Sequence, residues 1–150
     1  MKTSIRQTER KKYLEFLKAL EVESIYLSEC SAKFNPKGMN TSAKQIPVNG
    51  ATRFGDPEIT KHGFVVLATT KVRIGTNRDN QALIADLKAT FTLEFNLHAP
   101  EEHLVAIKAF AKTNIKVIVW PYFREFVSNL TSRAAIPPFN MPIHFEKGGS

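Results

Sequence analysis

The sequence predicts an α+β domain, a long antiparallel β-sheet with one apolar face covered by helices. Three observations carry this. Over residues 83–97 every odd position is apolar, from Leu83 through Phe91 to Leu97, while the even positions include Asp86, Lys88, Thr90, Thr92, Glu94 and Asn96. That is the period-two pattern of a strand buried on one side, and at ~3.3 Å per residue the run would span roughly 50 Å. A second alternating run, 64–74, precedes it across the polar stretch TNRDN (76–80), as in a hairpin. Apolar residues at helical spacing lie before the first strand and after the last, an order that places helices on one sheet face.

The elements follow in order. Residues 4 to about 20 read as a helix: Ser4 and Gln7 fit a capping box, and Tyr13, Leu14, Leu17 and Leu20 recur at helical spacing. A strand is expected over 22–34, with Val22, Tyr26, Cys30 and Phe34 on one face and Ile25 and Leu27 on the other. Residues 36–50 are rich in turn formers and read as a long loop, with a short strand near 52–54. After the hairpin, Pro100 suits a first helical turn, and Glu101 and Glu102 suit its positive end. This helix continues over 103–112, with Leu104, Ile107 and Ala111 on one face, and a short, almost wholly apolar stretch follows over 115–120. Pro121 then starts or kinks a second helix carrying Phe123, Phe126, Val127, Leu130 and Ala134, which Pro137 and Pro138 end. In the tail, Phe139, Met141, Ile143 and Phe145 alternate, and Pro142 bars a central-strand role.

With 150 residues, 43% of them hydrophobic, the chain suffices for one core. It divides into an N-terminal helical segment (1–21), the sheet domain (22–147) and a linker-like Gly-Gly-Ser (148–150). No apolar run is long enough to span a bilayer and no secretory signal opens the chain, so a cytoplasmic protein without membrane insertion is expected. The net charge of +7 is scattered, apart from Arg6, Arg10, Lys11 and Lys12, and accompanies no nucleic-acid motif. A solvated surface is therefore expected, with no nucleic-acid partner. Chemistry finds little support. His62, His98, His103 and His144 are too dispersed for one metal site. Cys30, on an apolar strand phase, reads as a buried thiol, and the nucleophile-elbow, phosphate-loop and dinucleotide motifs are missing. The expectation is a non-enzyme without cofactor or metal.

The stretch 120–139, WPYFREFVSNLTSRAAIPPF, is where the sequence becomes specific. Pro121, Tyr122, Arg124, Glu125, Leu130, Arg133, Pro137 and Pro138 follow the motif of the SecB family of export chaperones, and the alternating hairpin precedes them in the family's place. Over residues 22–145 the chain resembles that family, most of all the SecB-like chaperones of toxin–antitoxin systems, which similarly carry a helical segment before the first strand. The resemblance implies a SecB-like antiparallel sheet of about four strands under helices. It also implies ATP-independent holding of unfolded or nonnative polypeptides, without catalysis, and assembly as a dimer of dimers. In the implied groove, Trp120, Phe139, Met141, Ile143 and Phe145 are the candidate client-binding residues; each is equally a candidate for core packing. Implied partners are an antitoxin or the SecA motor. For the motor, the candidate docking positions on the outer sheet face are Glu29, Ile84 and Asp86, and Lys33 stands where a further acid is usual. The two acids also fit ordinary solvent-facing strand positions. A rival reading from the same residues is a dedicated interaction module for one partner, with no general role in export.

Overall fold

A computed structural model describes residues 2–35, 48–75 and 84–134, with side chains from Arg6 onward. Helix α1 (Lys2–Ala19) leads into strand β1 (Glu21–Phe34). Strands β2 (Val48–Phe54), β3 (Glu58–Ile59), β4 (Gly63–Ile74) and β5 (Ala85–Asn96) follow. A 3₁₀ turn (Pro100–His103) then enters helix α2 (Leu104–Arg133). All strand pairs are antiparallel, in the order β1-β5-β4-β2, and β3 pairs with β4 beyond the end of β2. The five strands therefore make four rows.

The period-two pattern places the core. Ala85, Leu87, Ala89, Phe91, Leu93 and Phe95 of β5 are buried, opposite Ile74, Val72, Thr70, Ala68, Val66 and Phe64 of β4. Both strands turn this face toward α2, where Phe64 stacks on Phe95 at 4.8 Å between ring centroids. Phe110 meets Phe95 edge-on at 5.3 Å, and Phe123 meets Phe91 at 5.2 Å. Aromatic pairs in these geometries add ~0.5–1.5 kcal/mol each beyond their burial. Helix α1 contributes Phe16, fully buried against Phe110, and the Tyr13 hydroxyl donates to Asn114 Oδ1 at 2.9 Å.

Several expectations need correction. Residues 104–133 form one helix and not two. The reason is that Ile107, Ala111, Ile115, Val119, Phe123, Val127 and Thr131 are all buried, an i+4 stripe that runs unbroken past Pro121. Pro121 removes the hydrogen bond to the Val117 carbonyl, but both residues lie on the exposed side, where water reaches the carbonyl. The expected helical start at Pro100 is a 3₁₀ turn, entered through Ala99 in the left-handed region (φ 48°, ψ 61°). Helix α1 begins at Lys2, so Ser4 and Gln7 fall inside it and not at its cap. Strand β2 starts at Val48, opposite Ile74, earlier than the short strand expected within the loop. Strand β5 ends at Asn96, and the Leu97 amide donates to the His62 carbonyl at 2.8 Å; Leu83 lies outside the described residues.

The faces of β1 are also reassigned. Register shifts at Val22/Ser24 and Leu27/Glu29 insert two irregularities, each of which flips the alternation. As a result Val22, Ile25, Leu27, Cys30, Ala32 and Phe34 all stand opposite inward residues of β5, on the α2 side. Tyr26 moves to the outer face, opposite Thr92. Cys30 is nonetheless exposed, contrary to the buried thiol expected, because β1 is an edge row that α2 does not cover.

Candidate functional site

An open apolar groove of about 680 Å³ lies between the β2–β3 edge and the N-terminal half of α2. One wall is Phe54, Gly55, Asp56, Pro57 and Ile59; the other is Leu104, Ile107, Lys108, Ala111 and Lys112. The helical members fall at i, i+3, i+4, i+7 and i+8, a single face of α2. Ile107 and Ala111 form a buried floor. Ile59 and Leu104 form the rim and keep 39% and 45% of their surface open. Three charges border it, Lys108 and Lys112 on the helix and Asp56 opposite, all exposed. Such a groove accepts extended apolar side chains without directional demands, and its charged border favours a segment flanked by acidic residues. The β2–β3 wall escaped the sequence reading because its residues alternate over too short a run. The available signal was the apolar series Phe54, Pro57, Ile59 beside a turn.

The sequence candidates are distributed differently. Trp120 is buried, 6% exposed, with its ring edge-on to Phe123 at 6.3 Å; little of its surface is open to a client. Phe139, Met141, Ile143 and Phe145 lie outside the described residues, as do Pro137 and Pro138. On the docking face, Glu29 is exposed opposite Thr90. Asp86 is half-buried, with Arg73 Nε 3.8 Å from its Oδ1. Ile84, 4% exposed, sits in the core, and its amide donates to the Ile74 carbonyl at 2.9 Å. Of the motif residues, Tyr122 packs on Phe91 at 5.8 Å and Leu130 is half-buried against the core. Arg124 and Glu125 are exposed and form no ion pair among the described residues, since neighbours in a helix point apart. Arg133 is exposed in the last turn of α2, where a cation suits the helix dipole.

Among the described residues no three His, Cys, Asp or Glu side chains cluster as metal ligands. A second recess of about 450 Å³ beside His62 and His98 is shallow and mainly polar. No described helix is long and apolar enough to cross a membrane.

A four-row antiparallel sheet under helices is the SecB-like α+β architecture. Among the solved structures similar to this chain is a SecB-like chaperone, Rv1957 of Mycobacterium tuberculosis, in complex with a ChAD peptide from the antitoxin HigA1 (Rv1956). The TM-score is 0.68 at 22% identity, covering 89% of this chain and 96% of that one. No protein-family model matches the sequence, and no curated protein does either.

Proposed function

We propose that this protein is an ATP-independent chaperone that holds nonnative polypeptide segments in the groove between β2–β3 and α2. The groove carries the reading, with its buried apolar floor and half-open apolar rim. A structural relative solved with an antitoxin peptide supports a polypeptide ligand. The driving force is burial of client apolar surface at roughly 25 cal/mol per Å². In this reading Phe139, Met141, Ile143 and Phe145, which lie outside the described residues, are further candidates for client binding. The protein works in the cytoplasm as a holdase, not an enzyme. The test mixes purified protein with a slowly refolding, aggregation-prone client. Delayed aggregation at stoichiometric ratio is expected, and unaltered aggregation refutes the proposal.

A second reading, a chaperone dedicated to one partner such as an antitoxin, is favoured by that same relative's complex. Affinity capture separates the two: one stoichiometric partner supports dedication, and many unfolded clients support general holding. Docking of the SecA motor is not part of our reading. The acids expected to serve it, Glu29 and Asp86, share their face with Lys33, Lys71, Arg73 and Lys88. Assembly as a dimer of dimers is part of it. Among the described residues β1 pairs on one edge only, and its Val22 and Leu27 are exposed on the apolar side. Light scattering should give the mass of a tetramer, and a monomer at micromolar concentration would exclude this assembly.

A further inference from the structure

The sheet face turned away from α2 carries a charge pattern of its own. Residues directly opposite in an antiparallel ladder share a face, so the register maps it row by row. At one end Arg73, Asp86 and Lys33 stand side by side on β4, β5 and β1. In the next row Lys71 and Lys88 face each other directly, and in the third Arg53 of β2 stands beside Thr69, Thr90 and Glu29. Five cations and two carboxylates thus occupy about 14 Å by 14 Å, at ~4.8 Å between strands and ~6.8 Å between rows. At the other end the sign reverses, with Glu58, Glu94 and Glu21 on the strands and the single cation Lys61 near Glu21 among the described residues. Between the ends lie exposed Leu67 and Tyr26 and a tied set of hydroxyls. Thr92 donates to Ser28 at 2.9 Å there, and Thr69 and Thr90, at the border of the cationic end, are 2.8 Å apart.

Two features make this more than a solvated face. Like charges directly opposite across a ladder destabilise the pair, yet Lys71 and Lys88 are opposed with no carboxylate in their row. The only ion pair among the described residues, Arg73 to Asp86, leaves Lys33, Lys71, Lys88 and Arg53 unmatched by any described ion pair. We propose that this face docks an acidic polypeptide segment of a partner protein, its carboxylates over Lys71, Lys88, Arg53 and Lys33 and an apolar side chain over Leu67 and Tyr26. A polynucleotide fits less well: its charge continues along the strand and would run onto Glu94 and Glu58. A second copy of this chain brings a net charge of +7 to a surface already cationic. The inference concerns the face opposite the groove and does not depend on the chaperone reading.

The probe is a fluorescein-labelled octaglutamate peptide, followed by anisotropy at 50 mM and 300 mM NaCl. Binding at the lower salt and its loss at the higher are expected. Lys71→Ala with Lys88→Ala should weaken binding roughly fivefold or more, and the groove variant Ile59→Ser/Leu104→Ser should leave it unchanged. Lys88→Glu alone should weaken peptide binding while raising the melting temperature by a few degrees, because it removes the opposed lysines. Three results overturn the proposal: no peptide binding at 50 mM NaCl, equal binding by the double-alanine variant, or tighter binding of a single-stranded oligonucleotide of equal charge that the same substitutions weaken.

Discussion

The groove reading predicts the behaviour of the paired substitution Ile59→Ser/Leu104→Ser. These two side chains form the apolar rim, with 39% and 45% of their surface open in the free protein, so that fraction is what a client can still bury. Full burial of an aliphatic side chain is worth ~1.5–3 kcal/mol, and the open fraction therefore ~0.6–1.3 kcal/mol per residue. Together the two substitutions should cost about 2 kcal/mol of client binding, roughly a 30-fold rise in Kd. The fold should suffer less, because the floor residues Ile107 and Ala111 and the aromatic cluster around Phe110 are untouched. The assay titrates a labelled apolar peptide with acidic flanks against both proteins by anisotropy, with far-UV circular dichroism as the check on folding. A variant that keeps its helical signal and binds within twofold of the parent would refute the groove as the client site. Lys108→Glu/Lys112→Glu adds a second arm: it should weaken the acid-flanked peptide several-fold and leave a peptide with neutral flanks alone.

The fold makes three further predictions, each read by thermal or urea unfolding. A Cβ at Gly63 would lie 1.8 Å from the Phe95 carbonyl oxygen, so Gly63→Ala must push β4 off β5 and should cost ~3 kcal/mol or more; a cost under ~1 kcal/mol would contradict the pairing described. Ala99 holds a left-handed conformation that costs an L-residue ~1–2 kcal/mol, so Ala99→Gly should stabilise by about 0.5–1 kcal/mol after the extra backbone entropy of glycine, and destabilisation would argue against that geometry. Pro121→Ala restores an amide to the exposed side of α2 and should gain ~1–2 kcal/mol, raising Tm by several degrees; a loss would mean that the proline positions something else.

How far the sequence could be read depended on how regular each element is. The central strands β4 and β5 were legible because their alternation is unbroken and their partners on both sides are strands. The edge strand β1 was not, since two register shifts alter its phase and nothing in residues 22–34 marks where they fall. Tyr26 was placed on the wrong face for that reason, whereas Cys30 keeps its expected face and is exposed because β1 is an edge strand. Pro121 misled differently. Its cost to a helix is real, but the stripe from Ile107 to Thr131 offers far more buried surface on the opposite side. The groove was least legible, since it joins residues 54–59 to residues 104–112 and no local pattern links them. For Trp120 the sequence left groove lining and core packing both open, and its apolar neighbours bury it.

The groove and the exposed edge of β1 have one physical origin. The buried face of α2 is the i+4 row from Ile107 to Thr131 with Phe110 and Trp120 beside it, and it seats the helix over β4 and β5. The apolar faces of the two outer rows, β2–β3 on one side and β1 on the other, are then covered only in part: Ile25, Phe34, Val48 and Phe54 are half-buried against the core, and Val22, Leu27 and Ile59 stay exposed. On the β2–β3 side Leu104, Lys108 and Lys112 flank the stripe and wall the opening into a cleft with a floor, suited to a single extended segment. On the β1 side Val22 and Leu27 stand open, and among the described residues no groove is walled there, so that side suits a broad surface such as another copy of the chain. A wider apolar face on α2 would cover both rows and abolish both surfaces. The exposed charges Lys108, Lys112, Arg124 and Glu125 bound the apolar face of α2, so the helix leaves part of each outer row open.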